Sequence, residues 1–142
     1  MKWMAIDYGD VRVGVAVSDM LEVTARGVET ISWRGQEISY VVDRILKLMD
    51  MEKVEGLVVG IPRRTDGKPG PSEEKARQLA QMLKERSGIE PILQDERYTT
   101  VLAGRIMQEA GIKGTRKRQV VDQIAAEIIL RDHLDRRRKG RL

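Results

Sequence analysis

The fold is decided by residues 2–18, which read KWMAIDYGDVRVGVAVS. Two apolar segments rich in Val and Ile, residues 2–8 and 12–18, flank the turn-forming pair Gly9-Asp10, and this pattern predicts two antiparallel strands joined by a hairpin. Asp7 places a carboxylate near the end of a strand that should be central. Burying it costs several kcal/mol unless it is paired or binds a metal. The structural alternative is that Asp7 accepts hydrogen bonds from the backbone of the turn.

The rest of the chain alternates strands with helices. In chain order the pattern predicts a strand at 27–33, a helix at 38–49, a strand at 54–61, a helix capped by Ser72, a strand at 89–93, a helix capped by Thr99 or Thr100, and a helix from about 118. An order that begins antiparallel and then alternates predicts an α/β fold, a mixed five-stranded sheet with antiparallel first strands and helices on its faces. Binding groups in such sheets gather at the strand ends.

The composition is that of one globular domain. The chain has 142 residues, 41% apolar and 34% charged, which suffices for one core and is too short for two. No apolar run approaches the roughly 20 residues of a membrane span, and the first residues lack the cleavage site of a secretory signal. With no cysteine and one histidine, the sequence excludes disulfides and argues against a zinc hydrolase. We therefore expect a single cytoplasmic domain over residues 1–142.

Positive charge is concentrated at the C-terminal end. The net charge is +4, but residues 112–142 carry 10 basic and 4 acidic side chains, a local +6. A basic tail, about residues 136–142, includes Arg136, Arg137 and Arg138 and could neutralise the phosphates of a nucleic acid. A solvated helix end explains the same residues, since cations are favoured at a helix C-terminus. The sequence leaves both interpretations open.

Two further acids follow the predicted fifth strand. Asp95 and Glu96 stand just before the Thr99-Thr100 cap, and because adjacent strand residues point to opposite faces, only one of them can join Asp7. Glu96 is preferred for its longer stem, with Asp95 as the alternative. The pair also fits an ordinary acidic helix N-terminus.

Asp122 is the most informative acid, because it lies on a helix face beside small apolar residues. Ala125, Ala126 and Ile129 follow it by three, four and seven positions, so this face packs inward and approaches the sheet closely. An acid there either pairs with an arginine or faces a metal. Together with the other acids it would form a site of oxygen ligands, which selects Mg²⁺ or Mn²⁺ and suits two-metal hydrolysis of a phosphodiester.

Four motifs occur in a fixed order between residues 7 and 130. They are Asp7-Tyr8-Gly9-Asp10-Val11-Arg12-Val13-Gly14 with its continuation to Asp19, Val59-Gly60-Ile61-Pro62 with Asp66-Gly67, Asp95-Glu96-Arg97-Tyr98-Thr99-Thr100, and Val121-Asp122 with Ala125-Ala126 and Ile129-Leu130. In this combination the sequence resembles the YqgF family, also called RuvX or Holliday-junction-resolvase-like, of the RNase H-like superfamily.

The resemblance implies an RNase H-like fold with a two-metal Mg²⁺ or Mn²⁺ site. Its catalytic metal ligands would be Asp7, Glu96 and Asp122, with Asp95 as the alternative to Glu96. It also implies a nuclease whose partner is pre-rRNA or branched DNA. The first activity implied is maturation of the 5′ end of pre-16S ribosomal RNA, and the second is Holliday junction cleavage.

The family would place phosphate contacts at Arg12, at Arg97 and in the loop after the fourth strand, which contains Arg63 and Arg64. Two other classes are compatible with parts of the sequence. Actin-like ATPases share the opening strand, Asp-x-Gly and hairpin, but close two such domains around a nucleotide. A non-catalytic RNA-binding module would use the same arginines, together with the basic tail, while the acids only support the fold. The sequence gives neither base readout nor oligomeric state.

Overall fold

A mixed five-stranded sheet forms the centre of the protein. The computed structural model describes residues 1–62, 68, 70–96 and 115–140. Its elements are β1 (Trp3–Asp7), β2 (Arg12–Ser18), β3 (Ala25–Ser32), α1 (Ile38–Glu52), β4 (Gly56–Pro62), α2 (Pro71–Ser87), β5 (Ile92–Glu96) and α3 (Thr115–Gly140). The strand order is β3-β2-β1-β4-β5. The predicted α/β class with antiparallel first strands is confirmed, whereas the helix predicted after Thr99 or Thr100 lies outside the described residues.

The pairing of the strands makes the two ends of the sheet, along the strand direction, different from each other. β1 pairs antiparallel with β2 and parallel with β4, and β4 pairs parallel with β5. Parallel neighbours need long crossovers, which α1 and α2 supply. The carboxyl ends of β1, β4 and β5 therefore meet at one edge, which we call the carboxyl edge. We call the opposite edge, where β1 begins, the amino edge.

Alternation along the strands separates two cores. On β1, Met4 and Ile6 point to the face that α1 and α2 cover, where the larger apolar cluster lies. Trp3 and Ala5 point to the other face, where α3 packs a smaller cluster against the sheet. Small side chains on that second face let α3 lie close to the strands, and Asp7 follows the same alternation.

Two predicted boundaries are wrong in instructive ways. The fifth strand begins at Ile92 instead of Ile89, because α2 ends at a left-handed Gly88 and Pro91 has no N–H to donate to a ladder. Ser72 does not cap α2. The N-cap is Gly70 and Pro71 occupies the first turn, a position that suits the fixed φ of proline.

Helix α3 runs the length of the sheet and extends past it. Residues 136–140 belong to this helix, so the described part of the basic segment is helical and is not a separate tail. Its last turn carries Arg137, Arg138 and Lys139. Within the described residues, no helix is both long and apolar enough to cross a membrane.

Candidate active site

Asp7 ends β1 at the carboxyl edge, between two glycines. Across the antiparallel ladder its partner is Gly14 on β2, and across the parallel ladder it is Gly60 on β4. Neither neighbour carries a side chain. The Asp7 side chain is partly buried on the face that α3 covers.

The backbone of α3 reaches this surface at Asp122. A Cβ placed on Gly14 would overlap the carbonyl oxygen of Asp122 and would lie 3.1 Å from its Cβ. Only glycine permits this approach. Gly14 is therefore the common neighbour of Asp7, its ladder partner, and Asp122, which packs on it. The structure brings together these two acids, which lie far apart in the sequence.

Asp122 has a cationic partner on β2. The Nε of Arg12 donates to Oδ2 of Asp122 at 2.8 Å, and the Asp122 side chain is only 15% exposed. Burial raises the pKa of Asp122, and the hydrogen bond and charge of Arg12 offset this rise only in part. The ion pair that the sequence left open as an alternative for Asp122 is present, and the predicted phosphate contact Arg12 provides it.

The register of β5 distinguishes the two candidate acids on that strand. Gln94 lies opposite Gly60, and residue 96 lies opposite Pro62. Gln94 bonds to α3, since its Nε2 donates to Asp132 at 2.9 Å. Gln94 therefore lies on the α3 face, and the exposed Asp95 lies on the α2 face. The Glu96 side chain lies outside the described residues.

The predicted basic contacts fall into separate groups. Arg63, Arg64 and Arg97 lie outside the described residues. Three more, Arg136, Arg137 and Arg138, follow Asp122 on α3 by 14 to 16 residues, which places them about 22 Å away, near the amino edge. They are not part of the cluster around Gly14.

The three distal arginines also differ in their contacts. Arg137 pairs with Glu22 at 2.5 Å and lies over the Trp3 ring at 4.7 Å. Arg136 forms an exposed i,i+4 pair with Asp132. Arg138 is exposed. Arg137 thus stabilises the fold through contacts within the chain, whereas Arg138 is exposed and could contact a ligand.

The turn before Arg12 is held by contacts that the sequence did not reveal. Asp10 accepts from the Tyr8 hydroxyl at 2.9 Å and from the Ser72 hydroxyl at 2.7 Å, and the Trp33 indole donates to the Gly9 carbonyl. The buried Tyr8 has a raised pKa, chiefly through desolvation and then through Asp10. A turn-forming Asp gives no signal of its distant partner, so sequence reasoning missed this link to α2.

The donor chemistry is compatible with a hard divalent cation. Within the described residues, no three Asp, Glu, His or Cys side chains are grouped closely enough to hold a metal, and the side chain of the predicted third ligand, Glu96, lies outside them. The two acids at Gly14 offer only oxygen ligands. Asp122 already shares its charge with a cation, the Arg12 guanidinium.

The sheet order and flanking helices are those of an RNase H-like protein. The structure is similar to Thermus thermophilus RuvC with a TM-score of 0.61 at 16% identity, over 98% of this chain and 97% of that chain. RuvC from the same organism in complex with a Holliday junction substrate gives a TM-score of 0.60 at 16% identity, over 96% and 95% of the two chains. At this identity the similarity shows the fold alone, and it confirms the predicted RNase H-like fold.

Sequence comparison identifies the family within that class. A family model described as "RuvX: Holliday junction resolvase" matches residues 1–136, and the chain belongs to this family. A relative from Acetivibrio thermocellus is 44% identical over 140 residues, 98% of this chain and 99% of that protein. One from Leuconostoc citreum is 40% identical over 136 residues, 95% of each. Both carry the name "Putative pre-16S rRNA nuclease". The family resemblance predicted from the motifs is confirmed.

Proposed function

We propose that this protein is a metal-dependent endonuclease that processes the 5′ end of pre-16S rRNA, with Asp7, Glu96 and Asp122 as its catalytic metal ligands. The observation that carries the proposal is that Asp7 and Asp122 are both neighbours of Gly14, Asp7 as its ladder partner and Asp122 packed on it. The names of the full-length relatives support the substrate class. The proposal includes a cytoplasmic location, which the absence of cysteine favours.

Each acid has a defined task in this proposal. Asp7 presents its carboxylate from the most central strand, and Asp122 presents its own from α3. By strand alternation Glu96 would share the face of Gln94 and supply the third carboxylate, which is why we prefer it to Asp95. Mg²⁺ or Mn²⁺ bound there would lower the pKa of a water nucleophile and stabilise the leaving oxygen of the phosphodiester.

Arg12 links the acids to the substrate. In the structure its guanidinium neutralises Asp122. Ligation by Asp122 would release part of this contact, and the one-third-exposed Arg12 would then lie beside the acids, where it can bind a phosphate. Arg63, Arg64 and Arg97 are proposed as further phosphate contacts on the basis of family resemblance.

A cleavage assay tests the proposal. Wild-type protein is incubated with a pre-16S rRNA fragment that carries its 5′ extension and with a four-way DNA junction, with and without Mn²⁺. We expect cleavage of the RNA that requires the metal. Asp7→Asn and Asp122→Asn should each lower the rate by at least about a hundredfold while they retain binding and fold. The matched control is Asp132→Asn on α3, remote from Gly14, which should cleave normally.

One observation favours a second candidate, a non-catalytic RNA-binding module. Because Asp122 is paired with Arg12, this acid could serve the fold alone. The two candidates differ in metal binding as well as in cleavage. Binding of Mn²⁺ can be measured in a titration by electron paramagnetic resonance, because the signal of the free ion is lost when the ion binds. The wild type should bind Mn²⁺, and Asp7→Asn should abolish this binding. RNA binding without either metal binding or cleavage would favour the module, and cleavage of the junction alone would favour a resolvase.

A further inference from the structure

Large apolar side chains are exposed together at the amino edge of the sheet. Among the described residues, five of the eight large apolar side chains that are exposed lie there. They are Met1 (44% exposed), Met20 (74%), Leu21 (80%), Val23 (60%) and Met51 (64%), and we call them the amino-edge patch. Contiguous exposed apolar surface on a monomer marks an interaction site more often than scattered apolar residues do. The patch lies at the opposite end of the sheet from Asp7 and Asp122.

The turn between β2 and β3 is inverted, with its charge inside and its apolar side chains outside. Glu22 is 10% exposed, accepts from the Trp3 indole at 3.0 Å and pairs with Arg137 at 2.5 Å. Its neighbours Leu21 and Val23 point into solvent. Glu22 adopts a φ of 60°, a left-handed conformation that is unfavourable for a residue with a Cβ. The fold thus holds the turn in a form that displays Leu21 and Val23.

The same turn is fixed from its other side. Oδ1 of Asp19 accepts from the backbone N–H of Val23 at 2.8 Å and of Thr24 at 3.0 Å. The backbone N–H of Glu22 also donates to the Asp19 carbonyl. A surface that is already ordered loses little conformational entropy when it binds. The protruding turn is therefore suited to docking.

A groove of about 440 Å³ lies directly beside the protruding turn. Its apolar lining comes from Met20 and Met51. Its rim carries two basic and two acidic side chains, those of Lys2, Glu52, Lys53 and Glu55. The rim has no net charge, so it offers little to a strongly charged partner. Lys2 and Glu52 of the rim already pair with each other at 3.1 Å, so an interface between two copies would have to pair Lys53 of one copy with Glu55 of the other.

We propose that the amino-edge patch binds a second copy of this chain, the turn of each copy entering the groove of the other. Protrusion and groove lie side by side on one surface, which is the requirement for a two-fold interface. The five side chains expose on the order of 500 Å² of apolar surface. Since a standard interface buries about 800 Å² on each partner, this dimer is weak, with a dissociation constant in the micromolar range.

Sedimentation velocity of the full-length protein over about 1–200 μM tests the proposal. Wild type should change from monomer to dimer across this range. Leu21→Lys should raise the dissociation constant by about tenfold or more. The control Tyr40→Lys changes another exposed apolar residue, on α1 outside the patch, and should leave the dimer unchanged. Circular dichroism melting curves verify that both variants are folded.

Charge reversal on the rim distinguishes a second copy from any other occupant. Lys53→Glu alone should weaken self-association because the rim becomes acidic, and Glu55→Lys alone should weaken it because the rim becomes basic. An equal mixture of the two variants should form heterodimers at least as tight as the wild-type dimer, which native mass spectrometry resolves by mass.

Three results would each overturn the proposal. The first is a wild type that stays monomeric at every concentration, as expected if a different protein covers the patch. The second is a dimer that Leu21→Lys does not weaken. The third is a mixture of the two rim variants that does not form heterodimers. The proposed nuclease is tested separately, because Leu21→Lys should cleave RNA at the wild-type rate. Loss of the dimer therefore leaves the proposed function intact, and loss of cleavage in Asp7→Asn leaves the dimer intact.

Discussion

The pair of Arg12 and Asp122 sets the electrostatics of the candidate site at the scale of single residues. A guanidinium 2.8 Å from the carboxylate competes with any cation for the same oxygen. Arg12→Gln should therefore raise the affinity for Mn²⁺ by roughly tenfold, because one nearby positive charge is removed. The affinity for RNA should fall at the same time if Arg12 makes the proposed phosphate contact.

Isothermal titration with Mn²⁺ and a fluorescence binding assay with RNA measure the two effects of Arg12→Gln. Arg44→Gln provides a matched control. Arg44 forms an ion pair with Glu29 and is itself as exposed as Arg12, 34% against 33%, and it lies on α1, on the other face of the sheet. If Arg12→Gln binds Mn²⁺ no better than Arg44→Gln does, the two positive charges do not share Asp122.

The fold cannot accommodate a side chain at position 14. Gly14→Ala would push the backbone of α3 away at Asp122, so we expect a loss of about 2–4 kcal/mol in the free energy of unfolding. Gly140→Ala, where nothing lies within 4 Å of the added carbon, should be neutral. Urea denaturation compares the two variants, and equal stabilities would mean that α3 does not rest on Gly14.

His133 should give the protein a pH-dependent stability. Its Nε2 is buried without a hydrogen-bond partner among the described residues. Burial first, and the Arg137 charge second, lower its pKa from the ordinary 6.5. The unfolded chain therefore binds the proton more readily, so stability falls as the pH drops below about 6.5, by at most about 1.4 kcal/mol per pH unit. Urea midpoints from pH 5 to 8 should show a flatter profile for His133→Gln, and parallel profiles would contradict this.

At the scale of elements, helix α3 depends on its inner face. Ile129 is fully buried in the cluster between α3 and the sheet, so Ile129→Ala should cost about 2–4 kcal/mol. Arg131 lies two residues further on the same helix with a side chain 63% exposed, and Arg131→Ala should cost less than about 0.5 kcal/mol. Thermal melting curves compare them. Similar losses in both variants would mean that the inner face of α3 does not carry its stability.

The elements also show what periodicity can predict. Asp122, Ala125, Ala126 and Ile129 share a face by helical spacing alone, and the structure confirms that this face packs inward. The hairpin of β1 and β2 follows from its apolar alternation and its turn residues. These features depend on neighbours in the sequence, so the sequence contains the information that determines them.

Contacts between distant segments could not be predicted in the same way. The choice of Arg12 as the partner of Asp122 depends on the register between β2 and α3, which no local pattern specifies. The inverted turn at Glu22 depends on Trp3 and Arg137, which lie 19 and 115 residues away. Local propensity places an acid in such a turn on the outside. Tertiary packing overrides that preference.

At the scale of the whole molecule, α3 places its basic C-terminal end about 22 Å from the acids at Gly14. If the exposed Arg138 contacts RNA, only a substrate that spans this distance can reach it and the acids together. Arg138→Ala should weaken binding of a 20-base-pair RNA about threefold to tenfold and leave binding of a five-base-pair hairpin unchanged. Fluorescence anisotropy at fixed salt measures both, and equal losses for the two lengths would assign Arg138 another role.

The position of the amino-edge patch has a consequence for how two molecules could cut. Partners joined through this patch would stand back to back, with the acids of each facing outward in opposite directions. Paired nicks in the two strands of a four-way DNA junction need two active sites that face the same point. Two molecules joined back to back cannot provide them. Such an assembly would make single, uncoordinated breaks, as suits the trimming of one end of an RNA strand.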